Sequence, residues 1–267
     1  MGTLVLVSTP IGNLGDLSPR AVQTLAHADI VCCEDTRHTR GLLTHAGLKG
    51  IRLLSLHDRN EMARLDTVLA HLAQGRTVAV VSDAGTPALS DPGGRLVRAA
   101  LAAGATVSAV PGPSAALAAL VVSGLPTDRF CFEGFLPRRG GDRRRRIEAV
   151  AHEARTVVIY EAPGRLGATL GELLGSCGPE RSVVVARELT KLHEEVWRGT
   201  LGDAAVSFGA GEVRGEVVVV LAGAPDDGHV PDDAEVTGAL GERLGAGDTV
   251  RDAAATVAHS MYPSATV

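Results

Sequence analysis

The sequence predicts an α/β protein of two α/β domains, the first with a parallel sheet and the second with a mixed one, and a cleft between them. Three observations carry this reading. Through the first 125 residues, apolar runs of strand length alternate with helix-length amphipathic stretches, the pattern of a doubly wound parallel sheet. Beyond that point strand-like runs crowd together with few helices between them, which implies antiparallel pairing. Three first-half strands also end directly in tight Pro/Gly loops, at Ser8–Asn13, Ser82–Pro87 and Val110–Ser114. Open α/β sheets place their ligands at such carboxyl ends.

Leu4–Ser8 reads as the first strand. Ser18 and Pro19 then announce a helix as N-cap and first-turn proline. Ile30–Glu34 is the second strand, Thr39–Ala46 a short helix stopped by Gly47, and Arg52–Leu56 the third strand. Met62–Gln74 is amphipathic and closed by Gly75. Thr77–Val81, Arg95–Ala103, Thr106–Val110 and Ser114–Ser123 complete the alternation. A boundary is expected near Leu125–Asp128, giving domains over 1–125 and 126–224. In the second, Phe130–Phe135, Thr156–Tyr160, Ser182–Ala186, Glu195–Thr200 and Glu216–Leu221 are the strands. Arg144–Ala151 and Leu166–Leu174 are its two good helices. Residues 225–233 read as a linker by their Pro, Asp and Gly content. Residues 234–267 are expected to form a small helical accessory segment, shortened at its end.

Hydrophobic residues make up 45% of the chain, enough for a sizeable core, while aromatics are only 3%. No apolar stretch approaches the ~20 residues that span a bilayer, and the start lacks a basic n-region. The expectation is a cytoplasmic protein with no membrane partner. The cysteines Cys32, Cys33, Cys131 and Cys177 show no Cys-x-x-Cys spacing, and the nine histidines make no ligating pair beside an acid. Reduced buried thiols and no metal site are expected. The net charge of −5 argues against a protein that coats nucleic acid generally. Yet Arg138, Arg139, Arg143, Arg144, Arg145 and Arg146 place six arginines within nine residues, interrupted by Gly140-Gly141-Asp142. A local patch of this kind suits phosphate contact, and the glycines predict a mobile loop.

The strand-end loops lack the common nucleotide fingerprints: there is neither a Gly-x-x-x-x-Gly-Lys-Ser/Thr nor a Gly-x-Gly-x-x-Gly after the first strand. A phosphate cradle is therefore disfavoured, and an adenosyl ligand without pyrophosphate fits. Gly85 lets backbone approach such a ligand and Pro87 stiffens the turn.

Many short motifs follow in order: Thr9-Pro10-Ile11-Gly12-Asn13, Glu34-Asp35-Thr36-Arg37, Leu56-His57-Asp58, Ser82–Pro87, Pro111-Gly112-Pro113, Gly124–Phe130, Glu133–Pro137, Tyr160–Pro163 and Ala186–Lys191. Over about residues 3–223 the chain resembles the ribosomal small-subunit RNA methyltransferase I family, of the tetrapyrrole methylase superfamily. The resemblance implies a tetrapyrrole-methylase-like fold and a homodimer. It implies S-adenosylmethionine as methyl donor, bound between the two α/β domains, and methylation of a cytidine 2′-hydroxyl in the decoding region of the small subunit. Gly164 departs from the family pattern, where a larger polar residue is expected after Ala162-Pro163.

Residue chemistry then nominates the site. Ser82, Asp83, Ala84, Gly85, Thr86 and Pro87 would meet the donor, on a strand expected to neighbour the one before Pro113, Ser114 and Ala115. Pro10 and Ile11 offer an apolar wall, and the helix opening at Ser114 favours a carboxylate. Methyl transfer needs alignment and removal of the hydroxyl proton. Glu34 and Asp35 from one domain, with Glu188 and Lys191 from the other, are the catalytic candidates; Asp83 and Glu161 are further carboxylates in reach of the motifs. Lys191 is one of only two lysines among 26 cationic side chains. Two alternatives stay open at this level: the same fold acting on a small metabolite such as a tetrapyrrole, and a non-catalytic RNA-binding protein.

Overall fold

The computed structural model describes residues 1–209, 211, 213–225 and 232–261, with side chains to 258. The chain divides into Met1–Ala224, which carries both sheets, and Pro225–Val267. Residues 226–231 of the expected linker and the chain end from 262 lie outside the described residues.

Five parallel strands form the first sheet: β1 (Thr3–Val7), β2 (Ile30–Cys33), β3 (Leu53–Ser55), β4 (Thr77–Val81) and β5 (Thr106–Val110), in the order β3-β2-β4-β1-β5. The helices between and after them are α1 (Pro19–His27), α2 (Thr36–His45), α3 (Glu61–Ala73), α4 (Gly94–Ala102) and α5 (Ala115–Ser123). β2 shows why the sheet is covered on both faces. Ile30 and Cys32 enter one apolar layer, Val31 and Cys33 the other, as a two-residue side-chain period requires. The local signals act as expected at α1, where the Ser18 hydroxyl accepts from the Ala21 N–H at 3.1 Å and Pro19 occupies the first turn. Buried Glu61 caps the start of α4, its Oε1 accepting from the N–H groups of Arg95 and Leu96 at 3.0 Å each. One topological expectation fails: β4 and β5 are not neighbours, because β1 lies between them.

The second sheet is mixed. Strands β6 (Phe130–Phe135), β7 (Thr156–Glu161), β8 (Ser182–Arg187), β9 (Glu195–Thr200) and β10 (Val217–Leu221) run in the order β6-β7-β10-β8-β9, and only the β6/β7 pair is parallel. Central β10 is buried along its whole length. One face is covered by α6 (Gly140–His152), α7 (Leu166–Cys177) and α8 (Leu201–Gly209). The other face packs on α5 of the first half, where Ala116, Ala119 and Leu120 meet Val158, Val184, Ala186, Val218 and Val220. The two halves therefore share a core through one small-residue helix.

Two expectations are corrected here. α8 was not among the predicted helices: it follows β9 without a spacer and starts on a local cap in which Thr200 and Asp203 exchange hydrogen bonds. Its Phe208 ring meets Trp197 of β9 edge-on at 5.5 Å. The arginine segment is not a mobile loop, because α6 begins at Gly140. In the second unit, α9 (Asp233–Gly245) opens on a capping box between Asp232 and Glu235, and α10 (Val250–Met261) follows.

Candidate active site

A cavity of about 350 Å³ opens where the two sheets present their strand ends. The first half contributes Ile11 after β1, the Ala84–Thr86 turn with Leu89 and Asp91 after β4, and Ala115 at the start of α5. The second half contributes Phe135 and Tyr160 at the carboxyl ends of β6 and β7, and Gly215–Val218 at the start of β10. The aromatic wall is a cluster, with Tyr160 at 5.0 Å from Phe132 and 5.6 Å from Phe135. The Tyr160 hydroxyl accepts from the Ala116 N–H at 3.2 Å, tying the wall to the first turn of α5.

The loops around this cavity hold backbone in sparsely populated conformations. Ala88 (φ 68) and Ser90 (φ 61) lie on the β4–α4 loop, and Glu188 (φ 51) and Thr190 (φ 67) on the β8–β9 loop. Such strain in non-glycine residues persists only where surroundings enforce it, and it concentrates at functional sites. The surroundings here are specific. A Cβ on Gly134, at the bulge of β6, would come within 2.7 Å of Ser90 Oγ. A Cβ on Gly215 would collide with the Glu188 carboxylate. Each strained loop thus leans on a glycine of the second half, Gly134 within β6 and Gly215 just before β10.

Two acidic groups of opposite character flank the cavity. Near the ends of β2, β3 and β4, Glu34, Asp58, Asp83 and Asp91 stand close enough to repel. Burial first, then the Glu34 charge, pushes the Asp91 carboxyl up to about 6, with the Ser82 hydroxyl partly offsetting this. Burial also raises Glu34, helped by Asp83 and Asp58. Across the cavity the charges are paired. Lys191 Nζ lies 2.7 Å from Glu188 and 3.3 Å from Glu216. Burial alone would lower Lys191, but the two carboxylates outweigh it and hold the amine above its usual range. Glu188 moves down, first through its bond from Lys191 and then through the Glu216 N–H.

The profile of the family described as Tetrapyrrole (Corrin/Porphyrin) Methylases matches residues 3–205. A protein of Mycobacterium tuberculosis named Ribosomal RNA small subunit methyltransferase I is 46% identical over 258 residues, covering 96% of this chain and 89% of its own. One of the same name from Synechocystis is 51% identical over 228 residues, 85% of this chain and 81% of its own. This chain belongs to the small-subunit rRNA methyltransferase I family. Among solved structures, a Thermus thermophilus uroporphyrin-III C-methyltransferase complexed with S-adenyl homocysteine shares the fold, with a TM-score of 0.58 at 23% identity, covering 83% of this chain and 97% of that one.

In this methyltransferase the nominated residues separate into groups. Ile11, Ala84, Gly85, Thr86 and Ala115 line the main cavity. Pro10 and Asp83 instead line a second cavity of about 310 Å³. Gly85 does not offer its backbone to a ligand as expected. Its N–H and carbonyl are spent on Thr9, at 3.1 and 2.9 Å, in an antiparallel bridge that joins the β1 and β4 loops. Ser82 is buried and its hydroxyl donates to the Ala84 carbonyl at 3.2 Å, so it shapes the turn; Pro87 is buried beside it. Pro113 accepts from the Thr86 hydroxyl through its carbonyl, and Ser114 is the N-cap of α5.

The catalytic nominees divide likewise. Asp35 caps α2 through the Arg37 N–H at 2.7 Å and pairs with the Arg37 guanidinium. Glu161 is fully enclosed, bonded to Arg165 and Thr169, and holds β7 to α7. Lys191 is held above its usual range by Glu188 and Glu216, and its stem crosses Gly12, where a Cβ would collide with it. Arg143 leaves the nominated phosphate-contact group: it is buried, with Nε at 2.7 Å from Glu172, NH2 donating to Thr169, and NH1 to the Pro137 carbonyl. Arg138, Arg139, Arg144, Arg145 and Arg146 stay exposed, with Arg145 paired to Asp142 and Arg146 to Glu133. Sequence reasoning missed Asp91, Phe135, Tyr160 and Glu216. A usable signal existed for the aromatics: in a chain with seven of them, three gather at this wall.

Proposed function

We propose that the protein uses S-adenosylmethionine to methylate the 2′-hydroxyl of a cytidine in the decoding region of small-subunit ribosomal RNA, acting in the cytoplasm as a homodimer. The observation that carries this reading is the identity, along nearly the whole chain, to proteins named for small-subunit rRNA methylation. The donor fits the main cavity on chemical grounds. Its lining holds the carboxylate residues Asp91, Glu161 and Glu216 and no lysine or arginine, which suits a sulfonium cation. The start of α5 suits the donor's own carboxylate, and Phe135 and Tyr160 offer rings for adenine. Bound there, the donor would supply an already activated methyl group, and the protein's tasks are alignment, exclusion of water and proton removal.

Asp91 is the group best placed to take the hydroxyl proton. It lines the cavity, whereas Asp35, Asp83, Glu161 and Glu188 carry structural hydrogen bonds and Glu34 is not in the lining. A carboxyl near 6 is ionised at neutral pH yet more basic than an ordinary aspartate, as general-base catalysis favours. Glu34 and Asp35 would border the acceptor on this side, and the Glu188–Lys191 segment would border it on the other as a fixed cation. Five exposed arginines would contact phosphates. The homodimer is supported by the exposed edge strand β5 and by exposed Leu117 and Val121 on α5.

Nucleoside mass spectrometry of ribosomal RNA from cells with and without the protein tests the substrate. A methylated cytidine that persists without it would sink the proposal. Gly85→Val tests the donor site by calorimetry. Gly85 sits at φ 79 with Ile11 Cγ2 3.4 Å from an added Cβ, so a branched side chain would strain the bridge and crowd the lining. Donor affinity should fall by about tenfold or more, given the strain a left-handed valine carries.

A further inference from the structure

The second cavity is built from the same loops as the first but faces elsewhere. Pro10 and Leu14 after β1 form an apolar wall, α2 supplies Arg37, His38 and Gly41, and Asp83 supplies a carboxylate. Its volume of about 310 Å³ is at the small end for ligand pockets. The Thr9–Gly85 bridge separates it from the main cavity: Thr9 and Asp83 line the second, while Gly85 and Ile11 line the first. One pair of bridged residues therefore stands between two pockets.

The polar groups in it are arranged asymmetrically. Asp83 Oδ1 accepts from the Asp35 N–H at 3.0 Å, which fixes the carboxylate and leaves Oδ2 as the acceptor for a ligand. Arg37 pairs with Asp35 at 3.2 Å but its side chain is 87% exposed. Gly41 faces open space, for an added Cβ would meet nothing within 4 Å. A flat group with an amine on its edge and an anion attached nearby matches this set.

Resting on the function proposed above, we infer that this second cavity holds the base of the target nucleotide and reads it as cytosine, through Asp83 Oδ2 and the exocyclic amine. Carboxylates accept from the cytosine amine, whereas uracil presents a carbonyl at the same position and would be repelled. Single-stranded RNA is recognised through such splayed bases. Pro10 and Leu14 give the ring an apolar surface, and Arg37 is free enough to reach a flanking phosphate. The ribose of a base held here would lie toward the bridge, and so toward the donor cavity.

The test uses small-subunit rRNA carrying either cytidine or uridine at the methylated position, with single-turnover methylation and donor affinity measured separately. Asp83→Asn keeps Oδ1 for Asp35 and turns Oδ2 into a donor. It should lower the cytidine rate and shift the cytidine-to-uridine ratio toward uridine by about tenfold, the size of one base-edge contact. Gly41→Leu should fill the pocket and lower the cytidine rate at sub-saturating RNA by a similar factor. Donor affinity should hold in both, since neither residue lines the main cavity. A ratio unchanged in Asp83→Asn together with a wild-type rate in Gly41→Leu would overturn the inference. Failure of the wild-type protein to methylate either RNA would instead strike the proposed function itself.

Discussion

The two charged corners of the main cavity are made of similar residues and behave in opposite ways. The corner of Glu34, Asp58, Asp83 and Asp91 gathers carboxylates at three strand ends, and burial with mutual repulsion drives Glu34 and Asp91 upward. The corner of Glu188, Lys191 and Glu216 interleaves a cation between acids, and Glu188 goes down while Lys191 goes up. The first arrangement destabilises its own ionised state and leaves a proton acceptor poised near neutrality. The second locks its charges and serves as a brace across Gly12 and Gly215. Pairing, more than composition, decides in which direction each corner's carboxylates shift.

Asp91→Asn should break this comparison most visibly. If Asp91 removes the proton, the single-turnover rate falls by about 10²-fold or more, with both ligands still bound. In the wild type the rate should rise with pH through about 6 and then level off; in the variant that limb disappears. The sign for stability is the reverse. A carboxyl raised in the folded state contributes stability that is present below its unfolded value near 3.8 and lost as pH rises through about 6. Asp91→Asn should therefore melt higher than the wild type at pH 8 and lose that advantage near pH 4. A wild-type rate in the variant would leave Glu34 as the alternative base.

The same contrast runs through α6. Arg143→Ala removes a buried cation with three partners and should cost about 2–3 kcal/mol in denaturant unfolding, with the RNA salt slope unchanged. Lys191→Met should cost less, about 1–2 kcal/mol, between the values for exposed and buried pairs. Its rate should drop by less than the Asp91 variant's. A loss of about 10²-fold at saturating donor and RNA would move the lysine from brace to chemistry. The smallest stability effect belongs to changing Arg138, Arg139, Arg144 and Arg145 together to Ala. Unfolding should be nearly unaffected, while each lost phosphate contact flattens the log–log salt dependence of RNA binding by about 0.7–0.9. An unchanged slope would make these arginines a solvated helix face.

Much of the fold was legible because its signals are local. Ser18-Pro19 starts α1, and the period-two pattern of β2 sends Cys32 and Cys33 to opposite layers. α8 escaped because Leu201–Gly209 mixes Gly, Ser and Ala directly after a strand, so that no periodicity announces it and tertiary packing of Phe208 decides. The glycines before the arginines mark a helix start, not a hinge: Gly140 takes φ 84 at the first turn and Arg143 is pulled inward by Glu172 and Thr169, 26–29 residues later in the chain. The main loops of the site were visible as Pro/Gly turns, but their duties were not. That Gly85 spends its backbone on Thr9, or that Asp83 and Asp91 face different cavities eight residues apart, depends on loops meeting across the sheet. Ser90-Asp91-Pro92 reads only as a turn until β4 and β7 are brought together.

Trp197 is the single tryptophan of the chain. It lies over β9 where a Cβ on Gly199 would approach its ring to 2.6 Å, and it contacts Phe208 of α8. It is absent from the lining of either cavity. Its fluorescence is therefore a built-in gauge of whether α8 stays docked on the second sheet, blind to occupancy of the main cavity. A ligand that shifts the melting curve recorded through this indole does so through the core shared by the two halves, and not by touching the reporter.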